Sequence, residues 1–463
     1  MAEELDVLVI GAGAAGEAAG TLGAELGGRV AVVERDLFGG QCSFWACLPS
    51  KTLLDAAHRR ALGADYLWKR AAARRDWMIS REGIDYPDDA NHVRRLVSAG
   101  ARMVRGDARL VGPGRIEVRR DGESPQSFEA PHVIVAVGSR PVIPRMEGLE
   151  EAGYWTSNDG TALGELPSSI VVLGGGPVGV ELAQVYARFG VSTTIVQGGD
   201  RILPRDHPKS SEVLADQLRL EGVDIRTGVH GVRVRRGGAG RILELSDGST
   251  VEGSELLVAV GRRPTDLREL GVEQAGAELG DRGEVDPDPR MRLADGLYVA
   301  GDCSGGMQFT HVADYQGRIA VRAALGKEAK ADLSAIPRTT FTDPETAAVG
   351  LSLDEAWYRG LDAFEETMDF ATTSRGFTIE PTVPQGEGFS GSPGHVTAVV
   401  DRERGTLAGV FAACPGASEL INEAALAVKL GVPVGVVADS IHAYPTAARV
   451  LAGVCAAADL KLR

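Results

Sequence analysis

Two stretches of this chain repeat one grammar. An apolar run at residues 5–10 leads into Gly11-x-Gly13-x-x-Gly16, an alanine-rich helical pattern, and a second apolar run at 30–33 that ends on Glu34. The order returns with an apolar run at 170–173, Gly174-x-Gly176-x-x-Gly179, a helical pattern, and a run at 192–196 that ends on Gln197. Each block later reaches an echo: Val133-Ile134-Val135-Ala136-Val137-Gly138-Ser139-Arg140-Pro141 for the first, Leu256-Leu257-Val258-Ala259-Val260-Gly261-Arg262-Arg263-Pro264 for the second. One such glycine loop is a weak signal. Two of them, each set between strand and helix and each with the same distant echo, predict two dinucleotide-binding α/β domains. The glycines let backbone and helix N-terminus close on a pyrophosphate. Glu34 stands where a carboxylate takes ribose hydroxyls. From these residues alone the first site suits NAD or FAD.

The bulk of the chain narrows its partners. With 463 residues it is long enough for several domains. A formal net charge of −15 argues against nucleic acid and anionic membrane surfaces. No apolar run approaches the length of about 18 residues that a membrane helix needs. The N-terminus is acidic (Glu3, Glu4, Asp6) and turns at once into the first strand pattern, so no secretory leader is expected and the compartment expected is the cytoplasm.

Residues 39–51 read Gly39-Gly40-Gln41-Cys42-Ser43-Phe44-Trp45-Ala46-Cys47-Leu48-Pro49-Ser50-Lys51, and they hold two of only five cysteines. This pattern resembles the redox-active disulfide of the class I pyridine nucleotide–disulfide oxidoreductases, the family of lipoamide dehydrogenase, glutathione reductase and mercuric reductase. The resemblance covers the whole chain. It implies two Rossmann-like domains, one for FAD and one for NAD(P), with a C-terminal α+β dimerisation domain. The expected boundaries are 1–150 and 269–334 for the two parts of the FAD domain, 151–268 for the NAD(P) domain, and 335–463 for the interface domain. It implies FAD in the first site, NAD(P)H in the second, and a Cys42–Cys47 disulfide.

That pairing has a geometric consequence. A disulfide needs Cα atoms roughly 4.4–6.8 Å apart, and five residues of helix rise about 7.5 Å. Cys42 is therefore expected on a distorted turn, permitted by Gly39 and Gly40, ahead of a helix that carries Cys47. Lys51, four residues past Cys47, falls on the same helix face. In the family a glutamate pairs with this lysine near the flavin, which here implies Lys51 with Glu181. By the family pattern Cys47 faces the flavin and Cys42 exchanges with substrate. Phe44 and Trp45 are expected beside the dithiol, as a narrowing or a stacking surface. The run ending in Gly301-Asp302 resembles the second flavin fingerprint, with Asp302 on the ribityl or phosphate side. Cys303 and Cys455 read as packing, and His311 as a helix-start contact near the flavin. No metal site is expected.

Gln197 is neither the acidic residue that favours NAD nor an arginine. Arg201 and Arg205 follow it, and they tilt the reading toward NADPH while leaving NADH open. The C-terminal end departs from the family. Where lipoamide dehydrogenase and glutathione reductase carry a His-Pro-Thr base and a glutamate, this chain reads Ile441-His442-Ala443-Tyr444-Pro445-Thr446, with Arg449 in the glutamate position. Tyrosine, with a reference pKa of about 10, is a poor base at neutral pH. His442, two residues earlier, would share a side with Tyr444 if the segment is extended, and is the alternative base. Both would come from the partner subunit of a homodimer. Mercuric reductases have a tyrosine near this place, but their C-terminal cysteine pair and N-terminal metal-binding domain have no counterpart here.

The expected function is electron transfer from NAD(P)H through FAD and the Cys42–Cys47 pair to a small disulfide. An NAD(P)H-dependent quinone or metal-ion reductase is the alternative. A low-turnover scaffold or redox sensor is a third reading.

Overall fold

The computed structural model describes residues 4–80, 87–238, 240–383 and 388–463. The chain forms two compact units, Met1–Pro49 with Ala73–Val142 and Arg262–Asp332, and Ser50–Ala72 with Ile143–Gly261 and Leu333–Arg463.

The first unit is built on a six-stranded sheet, in the order Arg292–Ala294, Leu297–Val299, His132–Val135, Val7–Ile10, Val30–Glu34, Arg102–Arg105. Its four inner strands are almost wholly buried, as their continuous apolar runs require. All strands are parallel except the edge strand Arg292–Ala294. The helices Ala14–Glu25 and Thr310–Ala324 pack together on one face, where Gly317 lets the backbones approach: a Cβ there would lie 2.2 Å from the carbonyl oxygen of Ala15.

The second unit repeats the scheme with four parallel strands, Asp224–Thr227, Ser192–Gln197, Ser169–Leu173 and Glu255–Val258. In both sheets the strand before the glycine loop lies between its successor and the start of its echo. This explains the echo. Ala136 N–H donates to the Ile10 carbonyl at 2.7 Å, and Ala259 N–H to that of Leu173 at 2.8 Å. The two echoing tails, Ser139–Pro141 and Arg262–Pro264, pair with each other antiparallel.

The last third is a five-stranded antiparallel sheet, Arg338–Thr340, Thr346–Gly350, Thr406–Ala413, His395–Asp401, Ala363–Asp369. The helices Ala417–Leu430 and Ala447–Leu462 cover it, burying Leu420, Ile421, Leu451 and Val454 against Val396, Val400 and Val410. Cys455 lies in this core, as Cys303 lies in that of the first unit. No helix among the described residues is long and apolar enough to cross a membrane.

Candidate active site

The two glycine loops share one internal logic. Gly11 and Gly174 have φ of +97° and +115°, and a Cβ on either would lie 2.4 Å from the carbonyl oxygen of its echo strand, Ala136 or Ala259. A Cβ on Gly16 or Gly179 would lie within 2 Å of the carbonyl oxygen of Gly11 or Gly174. These four glycines are required by the protein's own packing. Gly13 and Gly176 are not: their backbones are extended, and a Cβ on either meets no protein atom within 4 Å. Each heads a helix of 12 residues whose first N–H groups face that open space. A loop that keeps glycine where the protein needs none, at a helix N-terminus, fits the close approach of a phosphate group, and so the dinucleotides.

The residue closing the second strand is wired alike in both blocks. Glu34 Oε2 accepts from Ala12 N–H at 2.7 Å and Oε1 from Asp36 N–H at 2.8 Å. Burial pushes its carboxyl pKa up, against those two hydrogen bonds. Gln197 Oε1 accepts from Gly175 N–H at 2.8 Å. The amide thus keeps the structural bond of a carboxylate and turns a neutral donor outward. Arg201 does not extend toward this site as expected. Its guanidinium donates to the carbonyls of Pro204 and, at 3.4 Å, Asp206, closing its own loop. Arg205 is exposed.

In the first unit Cys42 is not on a turn. It lies in a short helix of its own, Gly40–Phe44, which ends at Trp45 before Cys47 opens the helix Cys47–Ala61. The break between two helices does what a distorted turn was expected to do. Gly39 and Gly40 both take positive φ, and a Cβ on Gly40 would lie 2.7 Å from the Gly13 Cα, so the cysteine segment packs directly on the first glycine loop. Phe44 does not flank the site. It is 1% exposed and packs on the His92 ring, itself bonded through Nδ1 to Glu17 at 2.7 Å. Helical spacing turns it inward, while Cys42 and Trp45 are half-buried.

The two cysteines are thiols in mutual contact. The Cys47 side chain, as hydrogen-bond partner, and then burial raise the Cys42 thiol well above its ordinary value. Cys47 Sγ is 3.3 Å from Thr310 Oγ1, the first residue of the 15-residue helix Thr310–Ala324. Thr310 belongs to the site although it is remote from the cysteine motif in sequence: the contact joins residues 263 apart. Asp302 accepts from Ser139 Oγ at 2.5 Å, and Arg262 donates to the same hydroxyl (2.9 Å) and to the Ser139 carbonyl (2.7 Å). Gly138, Gly261 and Gly301 all adopt positive φ around this cluster. Gly301 N–H is held by Gln316 at 2.8 Å. His311 is exposed and stacked on Phe309. Burial lifts the Cys303 thiol to about 11, so it is inert packing.

In the second unit Lys51 Nζ donates to Glu181 Oε2 at 2.7 Å, and the lysine also lies over the Phe341 ring at 4.9 Å. The Glu181 side chain is 5% exposed and that of Lys51 34%. A carboxylate so buried needs such a partner. The C-terminal pair does not share a side. His442 folds inward, with Nε2 2.7 Å from Glu423 and Nδ1 2.8 Å from the Ser440 carbonyl, while Tyr444 is 73% exposed. The segment turns instead of extending, because the imidazole finds acceptors for both nitrogens. Neither nitrogen is turned outward to take a thiol proton. Arg449 is exposed. Among the described residues no group of three or more His, Cys, Asp or Glu is placed to hold a metal ion.

Residues 5–317 match the family model described as pyridine nucleotide-disulphide oxidoreductase, and residues 336–453 that of its dimerisation domain. The chain is 34% identical over 463 residues to dihydrolipoyl dehydrogenase of Bacillus subtilis, covering 96% of this chain and 94% of that one. It is 31% identical over 454 residues to mercuric reductase of Acidithiobacillus ferrooxidans, covering 96% and 81%. Among solved structures, the Cu(II) complex of the HOCl-induced flavoprotein disulfide reductase RclA from Escherichia coli aligns with a TM-score of 0.86 at 26% identity, over 98% of this chain and 99% of that one. LpdA from Mycobacterium tuberculosis aligns with a TM-score of 0.84 at 29% identity, over 99% and 100%.

Proposed function

The chain belongs to the pyridine nucleotide-disulphide oxidoreductases, FAD-dependent enzymes that draw electrons from NAD(P)H, and from that premise we propose that its Cys42–Cys47 pair delivers those electrons to a small disulfide. The contact of the two thiols, with Cys47 on Thr310 and Cys42 held protonated, carries this reading. When bound, FAD accepts a hydride from the nicotinamide and passes two electrons on. The chain's own residues do the rest. The first glycine loop, Glu34 and Asp302 hold FAD; the second loop and Gln197 hold the nicotinamide dinucleotide. The Gln197 amide serves either nicotinamide, with Arg205 as the cation left for a 2′-phosphate.

Cys47 is the thiolate kept beside the flavin. The Thr310 hydroxyl and the helix N-terminus behind it favour that negative charge. Cys42 attacks the substrate disulfide, one sulfur–sulfur bond forms as another breaks, and Cys47 then closes on Cys42. One NAD(P)H and one proton yield two substrate thiols. Lys51, steadied by Glu181, places a cation for the reduced ring. The interface domain brings a second copy whose exposed Tyr444 completes the site, while His442 stays bonded within its own chain. In this domain Leu430, Val436, Ile441 and Tyr444 are exposed in the single chain, as residues awaiting a partner surface are. The reading places the enzyme in the cytoplasm.

A second reading, reduction of a metal ion or quinone, is favoured by the occupied His442 and the tyrosine in the base position, since such an acceptor needs no base to take a thiol proton. The Cu(II) complex of RclA points the same way. An acceptor panel decides: disulfides, quinones and Cu(II) with each nicotinamide, on wild type and Cys42→Ser. Disulfide turnover abolished by Cys42→Ser supports the first reading. Turnover only with quinone or metal overturns it.

A further inference from the structure

The helix Pro177–Arg188 carries Glu181, Gln184 and Arg188 at spacings of three and four, which places them on one face. All three grip the segment 341–343. Glu181 Oε1 accepts from Phe341 N–H at 2.9 Å. Gln184 accepts from Asp343 N–H and donates to the Asp343 carbonyl, both at 2.8 Å. Arg188 donates to Asp343 Oδ2 at 2.8 Å and takes Glu221 with two nitrogens, at 3.1 and 2.7 Å. The Cys47–Ala61 helix closes the arrangement from its own side: Lys51 meets Glu181, and two turns on, His58 Nδ1 lies 3.0 Å from Asp343 Oδ2. Thr382 donates to the same oxygen at 2.6 Å.

Two carboxylates thus join the same three elements. Glu181 holds Lys51 and the Phe341 backbone; Asp343 holds His58, Arg188 and Thr382. Burial alone would raise the Asp343 carboxyl, but His58 and Arg188 keep it well below the usual carboxylate range, so it is an anion whenever the enzyme works. The Arg188 side chain is 3% exposed, and its charge is met by Glu221 and Asp343.

We infer that Asp343 and Arg188 are positioning residues which, with Gln184, seat the segment 341–343 so that the Phe341 N–H and Lys51 share the two oxygens of Glu181. The inference rests on the reading that Lys51 acts on the flavin. Without this seat the Glu181 carboxylate loses the contact that fixes its second oxygen, and the lysine loses its fixed partner and the Phe341 ring beneath it.

The test uses flavin-loaded Lys51→Met, Asp343→Ala, Asp343→Asn and Gln184→Leu. Three quantities are measured: the anaerobic rate of flavin bleaching by NAD(P)H, the midpoint potential of the bound flavin, and amide hydrogen exchange of the peptide spanning 339–345. Asp343→Ala is expected to slow bleaching about tenfold, the scale of a small displacement near the chemistry. It should shift the potential in the same direction as Lys51→Met and unprotect the Phe341 amide. Asp343→Asn keeps an oxygen for Arg188 and His58 and should recover most of each. If Asp343→Ala yields no flavin-loaded protein, Gln184→Leu, which removes two backbone contacts and no charge, carries the same expectation. Bleaching and potential left unchanged by Asp343→Ala or Gln184→Leu, where Lys51→Met alters both, overturn the inference alone. If Lys51→Met alters neither, the premise about Lys51 fails, and the Phe341 amide decides: exposed in Asp343→Ala supports the seat, protected overturns it.

Discussion

Cys42 and Tyr444 together set the pH behaviour of disulfide turnover. The Cys42 thiol is raised, and the residue in the base position is a tyrosine. A thiol below its pKa gains about tenfold in thiolate per pH unit. The disulfide half-reaction of the reduced enzyme should therefore keep rising from pH 6 through pH 9. A histidine base would flatten it near neutrality, so Tyr444→His should bring in a plateau and speed turnover at pH 7. A wild-type profile already flat above pH 7, followed by stopped-flow thiol release, would show that another group takes the proton. The sulfur motif and Lys51 were legible because their spacing is local. Thr310 was not, because its meeting with Cys47 joins residues 263 apart. The inward turn of Phe44 also escaped, since a five-residue helix gives no periodicity to read.

At the level of elements, the two glycine loops make opposite predictions for glycines that look alike in sequence. Gly13→Ala places a methyl in open space. The apoprotein should melt within a degree or two of wild type yet purify nearly colourless. Gly16→Ala drives its Cβ to 1.8 Å from the Gly11 carbonyl, so the strand–helix junction must move and soluble yield should fall. In the second loop, Gly176→Ala should leave flavin content intact and raise the KM for the nicotinamide about tenfold or more, since it blocks a phosphate approach. Flavin-to-protein ratio, melting curves and steady-state kinetics check all three. Arg188→Ala removes the buried cation between Glu221 and Asp343 and should cost about 3–5 kcal/mol in denaturant unfolding. The parallel strands were readable as continuous apolar runs. The antiparallel strands Thr346–Gly350 and Ala363–Asp369 were not: one is too small-residued to stand out, and the other carries Glu365 and Glu366 in place of clean alternation.

On the scale of the molecule, a repeated loop and its echo were enough to anticipate two parallel sheets, since each echo is the strand that closes its own loop. The polar row on the Pro177–Arg188 helix was invisible, because its partners at 341–343 lie 155 or more residues away. A dimer is the expected working form. Ile441, 102% exposed in the single chain, and Tyr444 stand out together from the interface domain. Ile441→Asp should shift light scattering toward the monomer mass, abolish disulfide turnover, and leave flavin bleaching by NAD(P)H largely intact. The most direct measurement of the whole account is an anaerobic NAD(P)H titration followed in the visible. Wild type and Cys42→Ser should develop a long-wavelength thiolate-to-flavin charge-transfer band, and Cys47→Ser should bleach without it. A band that survives Cys47→Ser, or one absent from all three, would contradict the placement of these sulfurs in the path of the electrons.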